Sequence, residues 1–331
     1  MQRRRCGRRV APRRLERTAM LEADYHDLLD PETWQFIRDS ARHFPPDSDR
    51  LPLAEQRALH AGLCRAFRAP LPADVRLTDR TFGTRPCRLY EPAAPAGTVL
   101  FLHGGGFVLG GLDAFDDLCA EIAAGTGLRT VAVDYRLAPE HPHPAAFHDA
   151  LRAAQAVAQA FPGPLVLMGE DAGGALAASV AHALRGRRAL AGQVLVCPML
   201  GGALDRGSAL THATAPMLSR QDVLRMGALR HGGREPAADP TADALRDTDF
   251  RGLPPTLIVT AQCDPLTDDG RAYRDAIRAA AGRARWIEEP GLVHGFLRAR
   301  HRVPRAAASF ARILQATSAM AHDRFAAARP G

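Results

Sequence analysis

From about residue 75 onward, short apolar runs alternate with stretches of helical period, and this alternation restricts the chain more than any other feature. The strand-like runs are 87–91 (CRLYE), 98–103 (TVLFLH), 129–134 (RTVAVD), 164–168 (PLVLM), 193–197 (QVLVC), 256–261 (TLIVTA) and 284–288 (ARWIE). Amphipathic stretches fall between and after them at 115–124, 146–160, 173–185, 267–281 and 304–316. A helical crossover between successive strands is what parallel pairing requires. The later runs are nearly continuous in apolar character, as strands covered on both faces are. The expected fold class is α/β, with a mostly parallel central sheet and helices on both faces.

Two segments stand apart from this rhythm. Residues 20–70 read as helical, with Leu28, Leu29, Phe36, Ile37, Leu59, Leu63 and Phe67 at helical spacings and breaks at Pro45-Pro46 and Pro70. Residues 201–250 are polar and rich in Pro and Gly, with one helical stretch near 219–229. Insertions of this kind sit over the carboxyl ends of the strands, so both are expected to form a helical cap. The chain is read as a single domain over 20–331, preceded by a basic extension at 1–19.

The charge is confined to that extension. Residues 1–19 hold eight Arg and one Glu, which accounts for the whole formal charge of +7. A folded body without basic excess argues against a nucleic-acid groove. The extension lacks both the apolar core of a secretory signal and the Ser-rich amphipathic pattern of a transit peptide. It is expected to be a disordered or extraneous segment upstream of a start at Met20. No uninterrupted apolar run is long enough for a membrane span. All 43 basic residues are Arg, which removes Schiff-base, pyridoxal and Walker-type chemistry that needs a lysine. The six Cys show no metal-binding or disulfide spacing, so the expectation is free thiols in a cytoplasmic protein, with no metal and no cofactor.

Three motifs follow strands in a telling order. His103-Gly104-Gly105-Gly106-Phe107 comes directly after an apolar strand, and consecutive glycines let backbone N–H groups converge on an oxyanion. Gly169-Glu170-Asp171-Ala172-Gly173-Gly174 lies between a strand and a helix, with small residues two places either side of Asp171, the pattern of a nucleophile elbow. Asp264-Pro265-Leu266 and His294-Gly295-Phe296 each follow a strand of the second half.

With Asp134-Tyr135-Arg136-Leu137-Ala138-Pro139-Glu140 and Asp268-Asp269-Gly270, these motifs resemble the hormone-sensitive-lipase-like, HGGG-bearing esterase branch of the α/β-hydrolase family over roughly residues 75–315. The resemblance implies the α/β-hydrolase fold with a helical cap. It implies hydrolysis of short or medium acyl esters, a small-molecule substrate, and a homodimer through a sheet edge. Position by position it places the nucleophile on Asp171, the general base on His294 and its orienting carboxylate on Asp264. The oxyanion donors fall on the backbone N–H groups of Gly104, Gly105 and Ala172. Three positions depart from the family text: Asp171 stands where the family has Ser, Glu170 where it usually has Asp, and Ala175 where Asn is common.

An aspartate changes the chemistry of the elbow. A carboxylate that attacks an ester carbonyl must expel a far more basic alkoxide, whereas displacement at a saturated carbon gives an alkyl ester that a His-activated water can cleave. Two alternatives to the esterase reading are therefore an Asp-nucleophile hydrolase of the epoxide or haloalkane type and a catalytically inactive ligand-binding homologue. Asp171 and Glu170 together favour a neutral or cationic ligand over an acidic one. Flanked by Asp264 and Asp171, His294 is expected to titrate above an ordinary histidine. Ser179 reads as a buried helix residue, His103 as a support for the glycine loop, and His141, His143 and His148 as surface loop.

Overall fold

In the computed structural model the described residues are 25–45, 47–187, 189–234 and 238–325, so the extension at 1–19 lies outside them. Among these residues, eight strands form one sheet: β1 (Arg76–Phe82), β2 (Arg85–Glu91), β3 (Thr98–Leu102), β4 (Arg129–Val133), β5 (Leu165–Glu170), β6 (Gly192–Val196), β7 (Thr256–Cys263) and β8 (Ala284–Val293). Their order is β1-β2-β4-β3-β5-β6-β7-β8. The β1–β2 and β2–β4 pairs are antiparallel and all others parallel. The fold class is the expected one, the α/β-hydrolase fold with a mostly parallel eight-stranded sheet.

Strand β5 shows why the sheet strands lack polar alternation. Val166 and Met168 belong to one core with Phe115 and Phe310, while Leu165 and Leu167 belong to another with Ala150 and Leu176. The first core is closed by α3 (Asp116–Thr126) and α9 (Pro304–Ala321), the second by α4 (Ala145–Ala160), α5 (Ala172–Leu184) and α8 (Thr267–Ala279). Each fully buried aliphatic side chain here contributes roughly 1.5–3 kcal/mol. The sequence reading ended β8 at 288 where the strand runs to Val293, and it missed β1, which has no apolar signature because all of it except Phe82 is partly or fully exposed.

Three helices come from outside the alternating region: α1 (Pro31–His43), α2 (Leu53–Phe67) and α7 (Arg220–Arg230). Asp30 caps α1 by accepting the Thr33 N–H at 2.7 Å, and Ser219 with Asp222 forms a capping box on α7. Arg57 of α2 donates to the carbonyls of Val108 and Ala138, in the loops after β3 and β4, and pairs with Glu140. Arg225 of α7 donates to Gln56 of α2 at 3.3 Å. The short helix α6 (Ser208–Thr211) is tied to the start of α8 through Ser208 and Asp268. No helix among the described residues is long and apolar enough to cross a membrane.

Candidate active site

The turn between β5 and α5 is sharp and crowded. Asp171 has φ 54° and ψ −118°, a conformation that costs a non-glycine residue about 1–3 kcal/mol and persists only where the surroundings enforce it. They do so by crowding. A Cβ on Gly169 would lie 2.1 Å from the Gly173 carbonyl oxygen, and one on Gly173 would lie 1.9 Å from the Leu102 carbonyl oxygen. The Asp171 N–H donates to the Val196 carbonyl at 2.8 Å, which fixes the residue above the strands it separates.

The carboxylate of Asp171 is bound by the glycine loop. Oδ2 accepts from the N–H groups of Gly105 and Gly106 at 2.9 and 2.8 Å. Oδ1 faces the other way, 3.8 Å from Nε2 of His294. Nδ1 of His294 in turn meets Oδ2 of Asp264 at 2.8 Å. Asp264 is wholly buried, and its Oδ1 accepts the Leu266 N–H at 2.8 Å, which locks the carboxylate. The structure therefore brings Asp171, His294 and Asp264 into one line, each at the carboxyl end of a different strand.

A family model described as alpha/beta hydrolase fold matches residues 99–298. The chain belongs to the α/β-hydrolase fold family. It is 34% identical over 268 residues to the carboxylesterase NlhH of Mycobacterium tuberculosis, with 75% of this chain and 84% of that one covered. It is also 34% identical over 268 residues to an ethyl acetate hydrolase of Pseudomonas putida, with 76% and 83% covered. Among solved structures, a hyperthermophilic esterase from the archaeon Pyrobaculum calidifontis superposes with a TM-score of 0.83 at 28% identity, covering 90% of this chain and all of the other. This α/β hydrolase is thus of the carboxylesterase type, on the hormone-sensitive-lipase side of the family, where an esterase of that group superposes with a TM-score of 0.80.

Within this α/β-hydrolase site the amides that meet Asp171 differ from the expected oxyanion trio of Gly104, Gly105 and Ala172. The amides that converge are those of Gly105 and Gly106, one residue further along than the expected pair Gly104 and Gly105. Gly104 instead lies flat against the elbow, where a Cβ would come 3.3 Å from that of Asp171. The shift follows from the path of the loop. Gly105 turns through φ 120°, which aims its own N–H and the next one inward. Ala172 opens α5 directly after Asp171, and its N–H makes no hydrogen bond to Oδ2.

His103 supports the loop, as expected. It stacks on Tyr135 at 4.2 Å, and Nδ1 lies 2.8 Å from the Gly104 carbonyl oxygen. Burial holds its pKa below the usual histidine range. Ser179 donates to Pro240 inside the fold, and His143 meets Asp239 at 2.9 Å in the inserted segment, so neither reaches the site.

Burial alone would lower the pKa of His294. The opposing charge of Asp264, its hydrogen bond, and the further charges of Asp171 and Glu170 outweigh burial and hold it up at about 9. Burial raises the carboxyl of Glu170 above the ordinary range in spite of Arg298 and His294 nearby. One trio of metal donor types occurs among the described residues, Cys197, Asp264 and His294. Two of its members are already hydrogen-bonded to each other. The third is a thiol pushed well up by burial and by the charges of Asp264 and Glu170, and so held in its protonated form.

Three contributors were not singled out from sequence. Gly106 had the same signal as its neighbours, and only the loop path separates them. Met226 of α7 covers the loop, with Cγ 2.7 Å from where a Gly106 Cβ would be. Arg298, four residues past His294, had no motif to mark it.

Proposed function

We propose that this carboxylesterase-type α/β hydrolase acts through Asp171 as a nucleophile on small molecules with an electrophilic saturated carbon, of the epoxide or haloalkane kind. The observation that carries this reading is the division of labour between the two oxygens of Asp171. With Oδ2 on the Gly105 and Gly106 amides, an ester carbonyl loses both of those donors and meets a carboxylate in place of a hydroxyl, which works against acyl transfer in the manner of the serine esterases. The same contact is productive for displacement.

In the first step Oδ1 attacks the carbon and the bond to the halogen or epoxide oxygen breaks with its electron pair, which leaves an alkyl ester on Asp171; a halide departs, whereas an epoxide oxygen stays tethered as an alkoxide and takes a proton from water. In the second, Nε2 of His294 takes a proton from water and the hydroxide attacks Cγ. Oδ2 becomes the oxyanion under the Gly105 and Gly106 amides. Collapse breaks the bond between Cγ and the alkyl oxygen, and the alcohol leaves with the proton from His294. Asp264 orients the imidazole and stabilises its charged form, as the acid of a triad does.

Charge orders the two steps. Before alkylation, Asp171 helps hold His294 protonated, and a protonated imidazole is no base. Alkylation removes that negative charge, so His294 becomes competent when its proton acceptance is needed. Residues 25–67 and part of 201–250, through α1, α2 and α7, form the cap that shapes the substrate pocket.

The test is a trapped intermediate. In a His294→Gln variant the second step stalls, so a panel of terminal epoxides and primary bromoalkanes should leave a stable mass adduct on the peptide that contains Asp171. The natural chain should release diols from the epoxides and alcohols from the bromoalkanes. Neither adduct nor alcohol across the panel would overturn the reading.

A further inference from the structure

Two residues of α7 bear on two successive residues of the glycine loop. Met226 covers Gly106, and one helical turn further on Arg230 sets its guanidinium over Phe107, with Cζ 3.8 Å from the ring centre. Residues four apart share one face of a helix, so a single face of α7 makes both contacts. Arg57 of α2 holds the loop one place further along, at the Val108 carbonyl.

Phe107 needs such a hold. Its φ is 66°, a left-handed conformation that a bulky residue adopts only where its surroundings enforce it. Gly106 before it is left-handed too, at φ 58°. The Gly106 N–H that meets Oδ2 of Asp171 is therefore oriented from both sides, by the turn at Gly105 and by the two left-handed residues that begin with Gly106 itself. One restraint on Phe107 is its carbonyl, which accepts the Ala138 N–H at 2.9 Å. The other is its buried ring, which lies against Arg230. A cation over an aromatic face is attracted most when both are out of water. Arg230 meets that condition, because its side chain is 4% exposed. It is also fixed from the inserted segment, where Nη2 donates to the Ala242 carbonyl at 2.7 Å and Nη1 to Oδ1 of Asp243 at 3.3 Å.

We propose that Arg230 is a positioning residue of this site: by fixing the Phe107 ring it sets the left-handed turn that presents the Gly106 N–H to Oδ2 of Asp171. The hold on the loop stands on geometry alone, and its kinetic consequence rests on the displacement chemistry assigned to Asp171. In that chemistry Oδ2 becomes an oxyanion only in the second step, so a misplaced Gly106 amide slows cleavage of the alkyl ester more than its formation.

Amide hydrogen exchange of the full chain, labelled with 15N-glycine, tests the hold. Arg230→Met keeps the stem and loses the guanidinium. Exchange at Gly106 should then accelerate at least about tenfold more than at Gly169, inside the central strand β5, which reports opening of the sheet. Equal acceleration at both, or none at Gly106, overturns the proposal, because Arg230 would then serve stability alone or nothing at the loop. With His294 intact, Arg230→Met should also accumulate an alkyl adduct on Asp171 that the natural chain clears, with product release slowed at least about tenfold. Release at the natural rate from a variant with a selectively loosened Gly106 overturns it as well. Should Arg230→Met fail to fold, Phe107→Leu decides, since it removes the aromatic face and leaves the Arg230–Asp243 pair in place. The same selective exchange is expected there, and its absence overturns the proposal. Selective exchange in a chain that forms neither adduct nor product would leave the hold of Arg230 standing and remove the displacement chemistry. An adduct with uniform exchange would do the reverse.

Discussion

Two oxygens of one side chain set the chemistry of this site. Oδ2 of Asp171 is held by two amides, and Oδ1 is directed at His294. A serine hydroxyl at the same strained position would leave the amides of Gly105 and Gly106 empty and place a proton donor before Nε2. Asp171→Ser should therefore hydrolyse p-nitrophenyl acetate and butyrate at least about a hundredfold faster than the natural chain, the scale of one oxyanion donor regained. Adding His294→Ala to that variant should abolish the gain. Equal rates for the natural chain and Asp171→Ala would show that the elbow is not the source of the nucleophile.

The charge of His294 belongs to the same scale. Its pKa is held up at about 9 by Asp264, Asp171 and Glu170 against the effect of burial. A group raised in the folded state contributes stability that is fully present below its unfolded value near 6.5 and is lost as pH rises through about 9. Removing the charge of Asp171 should lower the value. In histidine-selective NMR titrations, His294 of the natural chain should titrate well above its ordinary value, and in Asp171→Asn it should move toward neutrality. An unchanged midpoint in the variant would sink the idea that alkylation of Asp171 activates the base.

At the scale of elements, the elbow depends on the first turn of α5 approaching β3 and β5 too closely for any side chain. A Cβ on Gly173 would meet the Leu102 carbonyl oxygen at 1.9 Å, and the obstacle is backbone of β3, which cannot swing aside as a side chain would. Gly173→Ala should cost about 3 kcal/mol or more, beyond the ordinary range for an overpacked site. Urea denaturation checks this, and a loss under about 1 kcal/mol would mean that the turn is softer than its geometry implies.

Elements buried on both faces were legible in the sequence, because β3 to β7 carry apolar runs that a covered sheet demands. Strand β1 was not, since an exposed edge strand carries no such constraint and Arg76–Phe82 reads as polar loop. The site divides along a similar line. Asp171, Asp264 and His294 each follow a strand within a short contiguous motif, so their positions could be read. Which of three adjacent glycines turns its N–H inward depends on φ at Gly105, and the gathering of Arg298, Cys64 and Glu170 around one small cavity depends on three separate elements. Neither property is local, and neither was visible in the sequence.

Across the whole molecule, the segment after His294 ties α2 to α3. Arg300 is 3% exposed at its side chain and holds Asp117 and Glu121 of α3, while Asp117 also accepts the Ala69 N–H just past α2 at 3.0 Å. Arg302, two residues on, donates to the Ala66 carbonyl at 2.8 Å. The turn that carries His294, helix α3 and the last turn of α2 therefore share one charged junction. Arg300→Met keeps the stem but leaves Asp117 facing a cavity without its buried cation. The expected loss is about 3–5 kcal/mol, the range for breaking one partner out of a buried pair. The junction also predicts where the loss is felt. Amide hydrogen exchange should speed up in both α2 and residues 294–302, although the two are far apart in sequence. Faster exchange in 294–302 alone would mean that α2 is held by Arg57 and the oxyanion loop, and that the junction carries no coupling between cap and base.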